Sequence, residues 1–260
     1  MNDPKVEELC YRLITENPND KFDNASPLFY SLPEFNLRII DGMLTIQPQK
    51  KYTNVDQVKA DIEPFLRTWE LTSFLNGNRH RIRFAYSDAK IVDLKPDPQN
   101  HTIAARSSIH AIIIGENLSL VRQNTVYPSP VMGYVASDLT DELILRLKHY
   151  IDGRETLPSM TFYILERLQI ALSDKQGDKR KNLSQKLKIS QRVLKQLGNL
   201  TNRADPEIGR HAKGIRIPLT QKEKTWMEHV VFRLVSRLAE FNAGNNILKF
   251  ITLRDFPPLI

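Results

Sequence analysis

The chain has 260 residues, 41% of them apolar and 26% charged, a composition that suits a globular protein of one large domain or two smaller ones. Its single cysteine, Cys10, excludes an internal disulfide and every Cys-rich zinc site, and fits a reducing, cytoplasmic location. The formal charge of +7 is concentrated: between Asp174 and Arg216 stand twelve Lys and Arg against four acids, an excess of eight, so the remaining residues together sum to about −1.

The opening residues carry neither the basic flank nor the apolar core of a secretory signal. The longest uninterrupted apolar run, Ala111 to Ile114, is far too short to span a bilayer. These features predict a soluble, intracellular protein without a membrane partner.

Residues 1–34 are expected to form an N-terminal helix and an extended segment. A sheet domain over 35–137 follows. Asn36 to Ile40, then Asp41-Gly42, then Met43 to Ile46 predicts a β-hairpin, because Asp-Gly supplies the positive φ angles of a two-residue turn. Val55, Val58, Ile62, Phe65, Leu66 and Trp69 recur at steps of three and four and predict a helix from Val55 to Leu75. Asn54 can cap it with Gln57 three residues on, Gly77 stands past its end, and Pro64 predicts a kink or a break.

Alternation then returns, with Ile82, Phe84 and Tyr86 on one side and Arg81, Arg83 and Ala85 on the other. Ile91 to Leu94 reads as a separate short strand. Two further strands, His101–Ile114 and Leu118–Tyr127, are expected around a turn at Gly115–Asn117. Together these predict an antiparallel sheet with one helix packed on it.

Beyond the prolines at 128 and 130 the period becomes helical, and a helical domain is expected over 138–243. Its helices are predicted from Asp138 to Tyr150, Ser159 to Leu172, Lys179 to Leu187 and Ser190 to Leu197, the last stopped by Gly198. A long helix opens at Thr220 with Glu223 in capping-box position and carries the stripe Trp226, Val230, Leu234, Leu238 and Phe241. Residues 244–260 are expected to dock as a tail, through Ile247–Ile251. The fold class is α+β, an N-terminal antiparallel sheet with a packed helix followed by a C-terminal helical bundle.

The basic segment contains a helix-turn-helix-like phrase over Asn182–Leu197. Leu183, Leu187, Ile189, Val193, Leu194 and Leu197 would form its inner face, with Ser190, Gln191, Arg192, Lys195 and Gln196 outward. Gln191, Arg192 and Lys195 near the start of the second helix suit base edges, and Lys179, Arg180 and Lys181 suit phosphates. Two short helices packed in any bundle give the same apolar spacing, and a Lys-rich outer face also serves solubility. No aromatic side chain is interleaved in this segment, which argues against a base-stacking platform.

A second candidate is the loop holding Arg203, Arg210 and His211. Ribonucleases of the HEPN type pair an Arg and a His at closer spacing, one holding the phosphate charge and the other moving protons. Here seven residues, Pro206 among them, separate Arg203 from His211, and Arg210 is adjacent to it. A third is Asp93-Leu94-Lys95, the Asp-x-Lys form of metal-dependent nucleases, which lacks a second acid at a suitable place. Glu70 beside Trp69 is a carboxylate that burial would raise. Arg233 and Arg237 read as a solvated basic pair continuing the charged surface. The six histidines show no two-His metal spacing, and no phosphate loop or nucleophile elbow is present. No cofactor and no metal are expected.

Phe65-Leu-Arg-Thr-Trp-Glu70, Arg83-Phe84 leading to Ile91-Val-Asp93, Asp152-Gly-Arg-Glu155, Val193-Leu-Lys-Gln-Leu-Gly198 and Pro218-Leu-Thr220 follow one another in an order that resembles a group of prokaryotic proteins of unassigned function, over roughly residues 35–240. The resemblance implies a two-part architecture, N-terminal α+β and C-terminal helical, and carries no activity. The leading expectation is a non-enzymatic binding protein whose basic region, 174–216, contacts an anionic partner, most plausibly nucleic acid, DNA or RNA. A metal-independent ribonuclease-like enzyme using Arg203, Arg210 and His211, and an assembly subunit docking on a protein partner, stay open beside it.

Overall fold

The computed structural model describes residues 2–17, 20–76, 80–95, 122–173, 177–202, 218–244, 247 and 249–259. It is mixed α+β and divides into two compact units, Met1–Val131 and Met132–Ile260.

The first unit is built on a five-stranded antiparallel sheet. Its strands are β1 (Pro4–Thr15), β3 (Leu28–Ser31), β4 (Phe35–Ile40), β5 (Met43–Pro48) and β6 (Ile82–Asp93), in the order β3-β4-β5-β1-β6. The β4–β5 hairpin forms as its sequence requires: Asp41 and Gly42 take φ of 49° and 72°. Along β4, Phe35, Leu37 and Ile39 are buried while Asn36, Arg38 and Ile40 are exposed, the period of two that a half-buried sheet imposes.

Helix α1 (Val55–Leu75) covers the inner face with Val58, Ile62, Leu66 and Trp69, all buried. It runs without interruption through Pro64. Asn54 caps it by accepting a hydrogen bond from the Asp56 N–H at 2.8 Å, one residue earlier than a capping box would use.

The expected N-terminal helix is instead strand β1. Val6, Leu9, Cys10 and Leu13 have helical spacing, but a bulge at Glu7 shifts the phase so that Val6 and Leu9, three apart, both face the core. A second bulge, at Ser87 on β6, restores the register. Tyr86, paired with Tyr11 and edge-on to it at 5.6 Å, is 40% exposed, whereas Ile82 and Phe84 are buried. β6 is one continuous strand, so Ile91 to Asp93 extends it and is not a separate strand.

Of the two further strands, His101–Ile114 lies outside the described residues, as do 118–121 of the second. What is described of the latter, β7 (Arg122–Gln123), pairs in parallel with β2 (Asp20–Lys21) in a separate two-stranded sheet.

The second unit is helical: α2 (Asp138–Ile151), α3 (Leu157–Ala171), α4 (Lys179–Leu187), α5 (Gln191–Thr201) and α6 (Gln221–Asn242), with a 3-10 turn at Leu253–Asp255. Thr220 and Glu223 form the expected capping box at the start of α6. Trp226, Val230, Leu234 and Leu238 are buried, whereas Phe241, at the end of the stripe, is 37% exposed. Among the described residues no helix is long and apolar enough to cross a membrane.

Candidate functional site

The helix-turn-helix phrase folds as a pair whose boundaries follow from local chemistry. Asp178 caps α4, its carboxylate accepting from the N–H groups of Arg180 (2.9 Å) and Lys181 (3.2 Å). The helix ends at Lys188, which takes the left-handed conformation with φ of 51°. The Lys188 and Ile189 N–H groups both turn back to the Ser184 carbonyl. Ser190 then caps α5 through the Val193 N–H.

All six residues of the inner face, Leu183, Leu187, Ile189, Val193, Leu194 and Leu197, are 0% exposed. At about 1.5–3 kcal/mol for each fully buried aliphatic side chain, this face fixes the two helices against α3 and α6. Gly198 does not stop α5, which continues to Thr201 with Gly198 buried inside it. The Arg180 guanidinium lies against Gly198, where an added Cβ would stand 3.4 Å from Nη2.

The C-terminal tail closes over the turn. The Ile251 N–H donates to the Lys188 carbonyl and the Ser190 N–H donates to the Ile251 carbonyl, each at 2.8 Å, a parallel β-bridge between Ile189 and Ile251. The residue that caps α5 is thus held by the tail.

Between the first turn of α4 and the first two turns of α5 lies a cleft of about 440 Å³. Asp178, Lys179 and Arg180 line one side, and Gln191, Arg192 and Lys195 the other. Gln169 of α3 forms part of the wall. Five of the six side chains expected to contact nucleic acid therefore meet in one place. Lys181, the sixth, is exposed and does not line the cleft.

Four cations surround this space, and none of them makes an ion pair among the described residues. The single carboxylate, Asp178, is engaged by the α4 backbone. Two donors are buried without a partner: Nε of Arg180, and Nε2 of Gln169, a residue only 8% exposed. The N-terminal ends of α4 and α5 add their partial positive charge. Such an arrangement is chemically suited to an anion, through charge and through donors that lack a partner. Gln169 escaped sequence reading because it stands within the apolar stripe of α3. A lone amide in such a stripe is the signal that could have found it.

The other candidates separate in the structure. Arg203, Arg210 and His211 lie outside the described residues. Asp93 serves as an anchor: its carboxylate accepts from the N–H groups of Asn2 (2.8 Å), Asp3 (2.9 Å) and Lys95 (3.0 Å). Burial raises its pKa, but these three donors outweigh that effect and hold it below the ordinary carboxylate value.

Glu70 accepts from the Phe84 N–H at 2.6 Å and ties α1 to β6. Trp69 is core, its indole N–H donating to the Pro128 carbonyl at 2.7 Å. Arg233 and Arg237 are not a solvated basic pair: both bind Glu240, and Arg237 is buried. Burial, followed by hydrogen bonding and charge from Asp88, pushes the Cys10 thiol up to about 11, which disfavours the thiolate. Among the described residues no group of three or more His, Cys, Asp or Glu could hold a metal ion.

No family model, no curated protein and no solved structure matches the chain.

Proposed function

We propose that the protein binds nucleic acid through the α4–α5 pair and is not an enzyme at this site. Lys179 and Arg180 contact phosphates, while Gln191, Arg192 and Lys195 on the exposed face of α5 meet base edges or the adjoining backbone. The observation that supports this reading is the convergence of four cations, without carboxylate partners among the described residues, on one cleft across a helix-turn-helix. Duplex DNA is the favoured ligand, because a helix that displays Gln and Arg at its start suits a major groove, and no aromatic platform for unstacked bases is present in the segment.

The test is fluorescence anisotropy with a labelled duplex across a salt series. With Arg192 and Lys195 on the adjoining backbone beside Lys179 and Arg180, four phosphate contacts predict a log–log slope of roughly −3 to −4. Combining Lys179→Glu, Arg192→Glu and Lys195→Glu should reduce the magnitude of that slope by about three. Arg154→Glu, at an exposed arginine already facing Asp152, should leave it unchanged. Failure to bind duplex, single strand or heparin at low salt would remove the proposal, as would a triple variant that binds like the parent.

A further inference from the structure

A second cleft in the helical unit is built on different chemistry. His229, Arg233 and Arg237 stand four residues apart along α6 and so share one face. Glu240 receives both guanidiniums, Nη1 of Arg233 at 3.1 Å and Nη1 of Arg237 at 2.5 Å. It also accepts from the Tyr134 hydroxyl at 3.3 Å. Two cations thus share one carboxylate, and a positive charge is left over. Arg237 is 7% exposed. Its Nη2 donates to the Lys249 carbonyl at 3.1 Å, while its Nε is buried with no acceptor.

The tail completes the cleft. Thr252 and Asp255 cap one another, and Phe256 stands edge-on to Trp226 at 5.9 Å. The Asp255 carboxylate is already engaged, by the Thr252 N–H and hydroxyl and by Lys249 Nζ at 3.4 Å, so it does not cancel the charge of the arginines. The cleft is open to one side and has a volume of about 380 Å³, with Ile251, Phe256 and Pro257 as its apolar wall. Small-molecule sites have this size and this mixture of an apolar wall with a few convergent donors.

We infer that this cleft binds a small organic anion, with its charged group on Arg233, His229 and the free Nε–H of Arg237 and its apolar part against Phe256 and Ile251. The inference is independent of nucleic-acid binding, since it uses none of the residues of the α4–α5 cleft. Occupancy also has a built-in reporter: Ile251 lines the cleft, and its backbone is bonded to Lys188 and Ser190.

The experiment is a titration of the full chain with phenyl phosphate, followed by ¹H–¹⁵N correlation spectra. Saturable shifts are expected at the Arg237 Nε–H and at the Ile251 and Ser190 amides. Inorganic phosphate, lacking the ring, should bind about tenfold or more weakly. Arg233→Gln should weaken phenyl phosphate about tenfold through one lost charged hydrogen bond. His229→Ala, at an exposed position, provides a second variant that does not depend on the Glu240 network. The inference is overturned by the absence of saturable shifts at Arg237 and Ile251, or by shifts confined to Lys179, Arg192 and Lys195. It is equally overturned by inorganic phosphate binding as well as phenyl phosphate, or by folded Arg233→Gln and His229→Ala variants that both retain the parent affinity.

Discussion

Two sets of basic side chains in the helical unit look alike in the sequence and differ in what faces them. Arg146, Arg154, Arg167, Arg233 and Arg237 each lie against a carboxylate: Glu155, Asp152, Glu142 and, for the last two, Glu240. Lys179, Arg180, Arg192 and Lys195 have no such partner among the described residues, and the only acid in their cleft is spent on capping α4. The first set is held in place by carboxylates, with one positive charge left over where Arg233 and Arg237 share Glu240, and the second set has no carboxylate holding it among the described residues. A count of positive charge locates a region, but its geometry separates cations that are neutralised in place from those that are not. The excess of eight over residues 174–216 reflects the scarcity of acids there, four against twelve Lys and Arg, as much as the number of cations.

The comparison is broken most strongly at Glu240. Glu240→Gln leaves Arg233 and the buried Arg237 without a carboxylate, and breaking a buried pair from one side costs about 3 kcal/mol or more. The denaturant midpoint should fall accordingly, with affinity for duplex DNA unaltered in the folded fraction. A variant as stable as the parent would mean that the Arg237–Lys249 carbonyl bond and packing alone hold this end of α6.

The reverse change tests the second set. Gln191→Glu places a carboxylate four residues before Lys195 on the exposed face of α5, the arrangement that favours a helical ion pair. It gives the cleft cations the partner they lack. Duplex affinity at low salt should drop about tenfold, with stability altered by no more than about 0.5 kcal/mol. Unchanged affinity would separate α5 from the binding surface and leave only the α4 lysine and arginine.

Much of this arrangement could be read from residue order. The Asp41-Gly42 hairpin, the stripe of α1, the Thr220–Glu223 box and the inner face of the α4–α5 pair all depend on local chemistry and appear where their residues place them. The failures share a non-local cause. β1 carries a helical spacing because a bulge, fixed by its pairing with β6, shifts its phase. Gly198 resembles a helix stop until Arg180, eighteen residues earlier, is found lying across it. Tertiary packing sustains the helix through a residue that disfavours it by about 1 kcal/mol. Arg237 resembles a surface cation until the tail folds back to offer the Lys249 carbonyl.

The mildest probe of the paired set is protonation. Glu142 accepts from Nε and Nη2 of Arg167 at 2.6 and 2.7 Å and from the Tyr163 hydroxyl, with Arg146 also nearby. Hydrogen bonding from Arg167, then from Tyr163, lowers its pKa from 4.5 to about 2. Because the folded pKa is depressed, the stabilisation is fully present above the unfolded value of about 4.5. It is lost progressively as pH falls toward about 2, where the folded carboxylate takes up its proton. Both side chains are about a third exposed, so solvent screening limits the contribution to about 1 kcal/mol. Urea midpoints measured between those pH values should fall less steeply in Glu142→Gln than in the parent, the two curves converging at the acid end. Parallel curves would show that this pair, though bidentate, adds nothing to stability, leaving Arg167 as free in energy as the cations of the α4–α5 cleft are in geometry.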